Sequence, residues 1–196
     1  HHYYFHTDPK SICFIRWDMF AFMLLQASPF SNVLLAEKTR GLLLASLIQR
    51  SAKKITFCSE EVKSIKRFPI VEQLNIEGKR LNRLLALKIG KQLQKNPIKV
   101  VSVLLHKPYY VRQLQLLINH FEGLTRSKKW VHYMFALQNL EPLQSVIAYM
   151  KSKDKYIHVK LLDMWAREYQ VLKNRTHPMM YMSSHSGYLV TAIKVD

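Results

Sequence analysis

The scarcity of glycine constrains the fold of this chain more than any other feature of its sequence. Only five glycines occur among 196 residues. Glycine supplies the positive φ angles of tight turns and allows the close backbone approach on which phosphate-binding loops depend. We therefore expect neither a turn-rich all-β fold nor a Rossmann-type loop or P-loop.

The spacing of apolar residues predicts a mainly α-helical protein. It is clearest over residues 79–94, where apolar side chains recur at every fourth position: Leu81, Leu85, Ile89 and Leu93. Similar patterns predict further helices over residues 11–27, 31–50, 56–67, 109–121, 127–139, 142–152 and 155–173. Because the later helices are joined by short connections, we expect a helical bundle or stacked helical hairpins.

Two segments are richer in β-branched residues than the rest. Residues 98–105 have the composition of a strand, and residues 188–195 could form a short closing strand that pairs with them. The predicted organisation is a single domain, 1–196, with four parts: apolar N-terminal helices 1–56, a basic helical segment 57–100, helical hairpins 108–173, and an irregular docking tail 176–196.

Positive charge is concentrated in one quarter of the chain. The formal net charge is +17, and residues 51–100 contain twelve Lys and Arg against four Glu. Such repulsion favours a polyanionic partner, with RNA the first candidate. The predicted phosphate-binding residues are Lys79, Arg80, Arg83, Lys88, Lys91 and Lys95, extended by Lys53, Lys54, Lys63, Lys66 and Arg67. The alternative is a solvated helix face, although such faces usually mix both signs of charge.

Catalytic motifs are sparse. The spacing of Arg126 and His132 resembles the loose arginine–histidine motif of HEPN-type ribonucleases, which implies a small helical nuclease acting on the ribose 2′-hydroxyl. No carboxylate pair or zinc-binding motif stands out, and Cys13 and Cys58 lie in apolar surroundings typical of buried thiols. We therefore predict that the chain is not an enzyme and binds neither a cofactor nor a metal.

These observations predict a non-catalytic subunit that binds RNA or another polyanion within a large ribonucleoprotein such as an organellar ribosome. Neighbouring protein subunits would contact the docking tail, where Met179, Met180, Tyr181 and Met182 are clustered. A mitochondrial location fits the basic charge and the initial His1, with the cytoplasm as the alternative. The competing hypothesis is an accessory subunit of a membrane-associated complex. We predict no membrane-spanning segment, because no apolar stretch is long enough.

Overall fold

The computed structural model describes residues 1–27, 32–37, 39, 41–50, 54–58, 100–105, 118–119, 122–123, 130–182 and 186–195. Within them the α-helices are α1 (His2–Thr7), α2 (Trp17–Gln26), α3 (Leu42–Gln49) and α4 (Leu140–Lys151), and a 3₁₀ helix covers Pro9–Ile12. The strands are β1 (Asn32–Glu37), β2 (Lys54–Cys58), β3 (Val100–Leu105), β4 (Val131–Leu137), β5 (Tyr156–Asp163), β6 (Tyr169–Gln170), β7 (His177–Pro178) and β8 (Tyr188–Lys194).

Six of these strands form one mixed sheet, in the order β2-β1-β3-β4-β8-β5. The first four are parallel, and β8 runs antiparallel between β4 and β5. The chain passes from β1 to β2 on one side and then returns to β3 on the other side of β1. The strand order therefore reverses at β1, which makes a topological switch point in the sheet. Strands β6 and β7 form a separate two-stranded sheet.

Both faces of β1 and β4 are buried, as is usual for parallel strands. On one face, α4 contributes Leu143, Val146 and Met150 to a core that includes Tyr133 and Phe135 of β4. The i, i+3 and i+7 spacing of the three α4 residues places them on one side of that helix.

The opposite face is covered by the N-terminal part of the chain and by α3. Met19 and Met23 of α2 pack with Leu43 and Leu44 of α3 against Val33, Leu35, Met134, Ala136 and Leu189 of the sheet. In β1, Val33 and Leu35 thus face one layer while Leu34 and Ala36 face the other. The described residues form a three-layer α/β arrangement.

The prediction of a mainly α-helical bundle was wrong. Strands β1, β4 and β5 lie inside segments predicted as helices over residues 31–50, 127–139 and 155–173. For β1 and β4 the physical reason is burial on both faces, which gives them continuous apolar runs instead of the polar–apolar alternation of a half-exposed strand. The segment predicted as helical hairpins, 108–173, therefore contains two strands of the central sheet.

Other predicted elements agree with the structure. Helix α4 matches the prediction for 142–152 to within two residues at each end, and α2 occupies the later part of the helix predicted over 11–27. Segments 98–105 and 188–195 contain strands β3 and β8. These two strands do not pair with each other, because β4 lies between them. The predicted helix over 79–94 lies outside the described residues.

Gly187 provides a test of the β4–β8 junction. Its φ angle is +85°, and a Cβ atom there would lie 2.6 Å from the carbonyl oxygen of Leu137. We expect Gly187→Ala to lower the free energy of unfolding by about 2–3 kcal/mol, from backbone strain and this clash. Urea unfolding measures the change.

The matched control is Gly123→Ala. A Cβ atom there meets nothing within 4 Å, and the residue is helical. We expect this substitution to be neutral or to stabilise the protein by up to about 1 kcal/mol. An equal loss of stability in both variants would show that the close approach of Gly187 to Leu137 is not the cause of the loss.

Candidate functional site

The carboxyl ends of the parallel strands form the candidate site. Ligands of open α/β sheets bind beyond this edge at the switch point. Here the switch point lies between β1 and β3, where Glu37 is in register with Leu104. Glu37 ends β1 and Gly41 precedes α3, so the turn between them lies at the edge where open α/β sheets bind their ligands.

Glu37 bonds to the beginning of α3. Its carboxylate accepts hydrogen bonds from the N–H groups of Leu43 and Leu44, at 3.3 and 3.2 Å, and from the hydroxyl of Thr39. The first N–H groups of a helix lack partners within the helix and commonly bind phosphate or carboxylate ligands. In this turn, two of those donors are already occupied by a carboxylate of the chain itself.

Burial governs the protonation of Glu37, whose exposed fraction is 3%. Desolvation raises the pKa of its carboxyl group to about 7, although the hydrogen bonds from Thr39, Leu44 and Leu43 act in the opposite direction. The turn therefore contains a carboxyl group that changes charge near neutral pH.

The N-terminal segment is fastened to the same edge. The side-chain amide of Gln138, which follows β4, donates a hydrogen bond to the carbonyl oxygen of Cys13. Cys13 and Phe14 both have positive φ angles, of 57° and 53°, so the chain reverses sharply at this contact. Cys13 is buried, which confirms the interpretation of its thiol as part of the core.

A buried ion pair lies a few residues further along. The guanidinium group of Arg16 bonds to the carboxylate of Asp18, and its Nε atom lies 3.2 Å from Oδ1. Asp18 also accepts hydrogen bonds of 2.8 Å from the N–H groups of Met19 and Ala166. Burial by itself raises the pKa of Asp18, but the hydrogen bonds from Arg16, Ala166 and Met19 outweigh it and lower the pKa below its ordinary value.

Ala166 is the base of an extended arm, which we define as residues 164–182. The arm leaves the sheet after Asp163, which lies opposite Tyr188 on β8, just as Leu137 does on the other side of that strand. It thus starts from the edge that carries the switch point. Its strands β6 and β7 pair only with each other in the described sheets, and none of its residues is buried.

The structure places few of the predicted phosphate-binding residues. Lys54 is the first residue of β2, the outermost described strand on that side, and pairs with Asn32. It lies at the amino end of its strand, opposite the candidate site. The others lie outside the described residues and remain predictions: Lys53, Lys63, Lys66, Arg67, Lys79, Arg80, Arg83, Lys88, Lys91 and Lys95.

The ribonuclease hypothesis loses its helical context. His132 is half-buried in the sheet, on β4, and Arg126 lies outside the described residues. In the described part of the chain, no group of three His, Cys, Asp or Glu side chains is placed to hold a metal ion. Among the same residues, no helix has the length and apolar character needed to cross a membrane.

Sequence reasoning missed Glu37, Thr39, Arg16 and Asp18. One pattern could have revealed the first pair: an apolar run ending in an acidic residue, followed by Thr39 and Gly41 and a second apolar run. That order is typical of a buried strand that turns into a helix. Assigning residues 31–50 to one helix concealed the turn.

Comparison with known proteins gives sequence relatives that match only part of the chain. It is 33% identical over 82 residues to the non-catalytic subunit of tRNA (adenine(58)-N(1))-methyltransferase from Dictyostelium discoideum, and 32% identical over 80 residues to that from Mus musculus. These matches cover 42% and 41% of this chain but 15% and 16% of the relatives, so the chain spans about a sixth of their length. No family model matches the chain.

Solved structures share the fold over nearly the whole chain. A tRNA (m1A58) methyltransferase from Aquifex aeolicus superposes with a TM-score of 0.64 at 15% identity, covering 93% of this chain and 70% of that one. A SAM-dependent O-methyltransferase from Thermotoga maritima gives 0.67 at 11% identity, covering 93% and 66%. At these identities the likeness shows a fold, which is the Rossmann-like fold of S-adenosylmethionine-dependent methyltransferases.

Two further predictions need correction. The prediction that the chain is not an enzyme is contradicted by its fold, because the solved structures that share this fold are those of methyltransferases. The prediction of a ribosome-like assembly finds no support, since the relatives described above are methyltransferase subunits. Scarce glycine also did not exclude a Rossmann-like fold. It excludes only the glycine-rich loop, which the fold can lack.

The residues of the β1–α3 turn do not fit S-adenosylmethionine well. A ligand at this turn requires glycines that let the backbone approach, and its carboxylate requires open N–H donors. Between Glu37 and Leu44 the chain has a single glycine, Gly41, and the N–H groups of Leu43 and Leu44 are bonded to Glu37. We therefore assign no methyl-transfer step to this turn.

Glu37 makes stability depend on pH. Because its folded pKa of about 7 lies above the ordinary value of 4.5, the folded chain binds this proton more tightly than the unfolded chain. The free energy of unfolding should fall by roughly 3 kcal/mol as the pH rises from about 5 to about 8. Glu37→Gln should remove this decline, which urea unfolding across that pH range measures.

Glu141→Gln is the control for that experiment. Glu141 is an exposed carboxylate in the first turn of α4, so its variant should keep the slope of the wild type. A Glu37→Gln protein that retained the wild-type slope would show that the charge of Glu37 does not change over this range.

Asp18 tests the attachment of the arm. Asp18→Asn leaves the buried guanidinium of Arg16 without its charged partner, and we expect a loss of about 3 kcal/mol in the free energy of unfolding. The N–H group of Ala166 should also exchange with deuterium faster, since its acceptor is weakened. Hydrogen exchange by mass spectrometry, with exposed Asp163→Asn as control, would detect both the local and the global change.

Proposed function

We propose that this chain is the methyltransferase-fold part of a non-catalytic subunit of a tRNA (adenine-N1) methyltransferase, where it helps to bind tRNA beside a catalytic subunit. The observation that carries the proposal is the β1–α3 turn. In a fold that otherwise binds a cofactor at this edge, the carboxylate of Glu37 occupies the N–H groups of Leu43 and Leu44.

The sequence relatives support the same role. Both are non-catalytic subunits of a tRNA methyltransferase, and each matches about two fifths of this chain at about one third identity. The fold adds an independent argument, because a tRNA methyltransferase from Aquifex aeolicus superposes on 93% of the chain. A methyltransferase-like fold whose β1–α3 turn is bonded internally is suited to position a substrate for a catalytic neighbour.

The charge distribution supports a polyanionic ligand, and the relatives make tRNA the polyanion in this proposal. Phosphate contacts from Lys and Arg supply affinity without base recognition. A surplus of eight positive charges over residues 51–100 is suited to that task. Recognition of the target adenine then belongs to the catalytic subunit. The mitochondrial location stays a prediction, with the cytoplasm as its alternative.

The proposal is tested with the purified chain and the catalytic methyltransferase subunit of the same organism. We expect calorimetry to detect S-adenosylmethionine binding to the catalytic subunit and to the complex, but not to this chain alone. We also expect methylation of tRNA at adenine to require both proteins. Binding of the cofactor by this chain alone, or full activity without it, would overturn the proposal.

The role of the basic segment is tested by charge reversal. Replacing Arg80, Lys88, Lys91 and Lys95 by Glu should weaken tRNA binding by the complex. It should also make the negative slope of log K against log salt shallower by about 3 to 4. The control reverses four exposed bases elsewhere: Lys10, Arg50, Lys160 and Lys173. Equal losses in the two variants would mean that overall charge, and not this segment, binds tRNA.

A further inference from the structure

Trp130 is strained and exposed directly before β4. Its φ angle is +59°, in the left-handed region that a bulky side chain rarely adopts, and the residue is 63% exposed. Such a conformation costs free energy, and residues held in it are concentrated at functional sites. Because most of the residue is in contact with solvent, packing in the core does not account for its conformation.

The turn between α4 and β5 lies beside Trp130 at the amino edge of the sheet, where the parallel strands begin. Val131 and Tyr156 are both in register with Lys194 of β8, so two strand spacings, about 10 Å, separate them. Both β4 and β5 run antiparallel to β8, so they share a direction. Trp130 and Lys155, which precede them, are therefore neighbours along this edge.

This turn carries an excess of positive charge. Residues 151–155 contain three lysines and one acid, Asp154. Lys151 and Lys153 are exposed, whereas the ammonium group of Lys155 lies 2.9 Å from a carboxylate oxygen of Glu122 and is thus already paired. The two exposed lysines are the groups suited to bind an anion next to Trp130.

The same edge holds Lys54, the predicted phosphate-binding residue that the structure places. Lys54 begins β2, and three strand spacings, about 14 Å, separate the start of β2 from that of β4. In the sequence, Lys128 and Lys129 directly precede Trp130. An aromatic ring among cations is the composition of a site for single-stranded nucleic acid.

The surroundings of Trp130 favour RNA over a protein partner. A protein interface buries a tryptophan at the centre of a desolvated, well-packed patch. The other large apolar side chains that are exposed in the described part of the chain lie elsewhere: in the first 25 residues, at Leu161 and in the arm. An indole stacks on an unpaired base whose phosphates bind lysines, whereas a duplex covers the faces of its bases.

We infer that the amino edge of the sheet contacts single-stranded RNA, with the indole of Trp130 stacked on an unpaired base and with Lys151 and Lys153 bound to the adjacent phosphates. The inference rests on the proposed function in taking this RNA to be an unpaired part of tRNA. It places the contact at the edge opposite the β1–α3 turn. The chain then binds RNA away from the edge at which this fold binds cofactors.

The first test measures the fluorescence of Trp130 in the full chain. The chain has three tryptophans, and Trp17 and Trp165 are 45% and 55% exposed, so replacing both by Phe leaves Trp130 as the reporter without opening the core. We expect a single-stranded RNA of about ten uridines to quench its emission by stacking. Inorganic polyphosphate, a polyanion without bases, should leave the emission unchanged. The matched control, Trp17→Phe with Trp130→Phe, leaves Trp165 as the reporter and should respond to neither polymer.

The second test separates stacking from strain. Trp130→Gly should weaken binding of the same RNA by about tenfold, because the stacked base loses its partner. Glycine adopts a positive φ without strain, so this variant should unfold at no lower a temperature than the wild type. Trp130→Phe, which keeps a ring, should retain most of the affinity. Trp165→Gly is the control at another exposed indole and should bind as the wild type does.

The phosphate contact is tested by a salt series. Lys153→Gln removes one cation, so it should make the negative slope of log K against log salt shallower by about 0.7 for single-stranded RNA. Lys10→Gln, at an exposed lysine elsewhere, should keep the slope of the wild type. Equal slopes in both variants would show that Lys153 binds no phosphate and would contradict the inference.

The outcomes separate this inference from the proposed function. If RNA does not quench Trp130, or if polyphosphate quenches it equally, the inference is wrong, while the proposed function stands as long as the complex binds tRNA. If neither the chain nor the complex binds tRNA or the oligonucleotide, both are wrong. Quenching of Trp130 by the catalytic subunit without RNA would make this edge a protein surface, which also overturns the inference.

Discussion

The parallel ladder of β1, β3 and β4 is the constraint on which the rest of the structure depends. Its strands come from residues 32–37, 100–105 and 131–137, so the sheet joins parts of the chain that are far apart in sequence. Parallel strands must be covered on both faces, and the two apolar cores meet that requirement. The same ladder aligns the strand ends, which brings the β1–α3 turn and Gln138 to one edge of the sheet.

Glu37 shows how one carboxylate at the carboxyl edge of the sheet alters the chemistry of that edge. A carboxylate that ends a buried strand must find hydrogen-bond donors, since burying an unpaired charge is costly. The nearest open donors are the first N–H groups of α3, which the fold otherwise leaves for a ligand. Once Glu37 and Thr39 bond there, the turn is satisfied internally and needs neither glycines nor a bound anion. The parallel sheet and its switch point are kept, while two N–H donors at the start of α3 are bonded within the chain.

The sequence predicted some of these features and concealed others for physical reasons. Asn139 precedes a clear amphipathic pattern and Pro142 lies in its first turn, so α4 was predictable from local signals alone. Val131–Leu137 is buried at nearly every position, and a run of that kind fits a core helix as well as a central strand. The Arg16–Asp18 pair could not be predicted, because its third partner, Ala166, is 148 residues from Asp18 in the chain.

The apolar cluster at Met179–Met182 was visible in the sequence because it departs from the surrounding periodicity, and its docking role stays a prediction. The full extent of the exposed apolar residues could not be predicted. The prediction placed residues 155–173 in a helix, which would have buried Trp165, Tyr169 and Leu172 against neighbours. In the structure these side chains belong to the same exposed arm as Met180 and Tyr181. The buried Arg16–Asp18 pair bonds Ala166 at the base of the arm, so these exposed side chains begin from a fixed point beside the edge of the sheet.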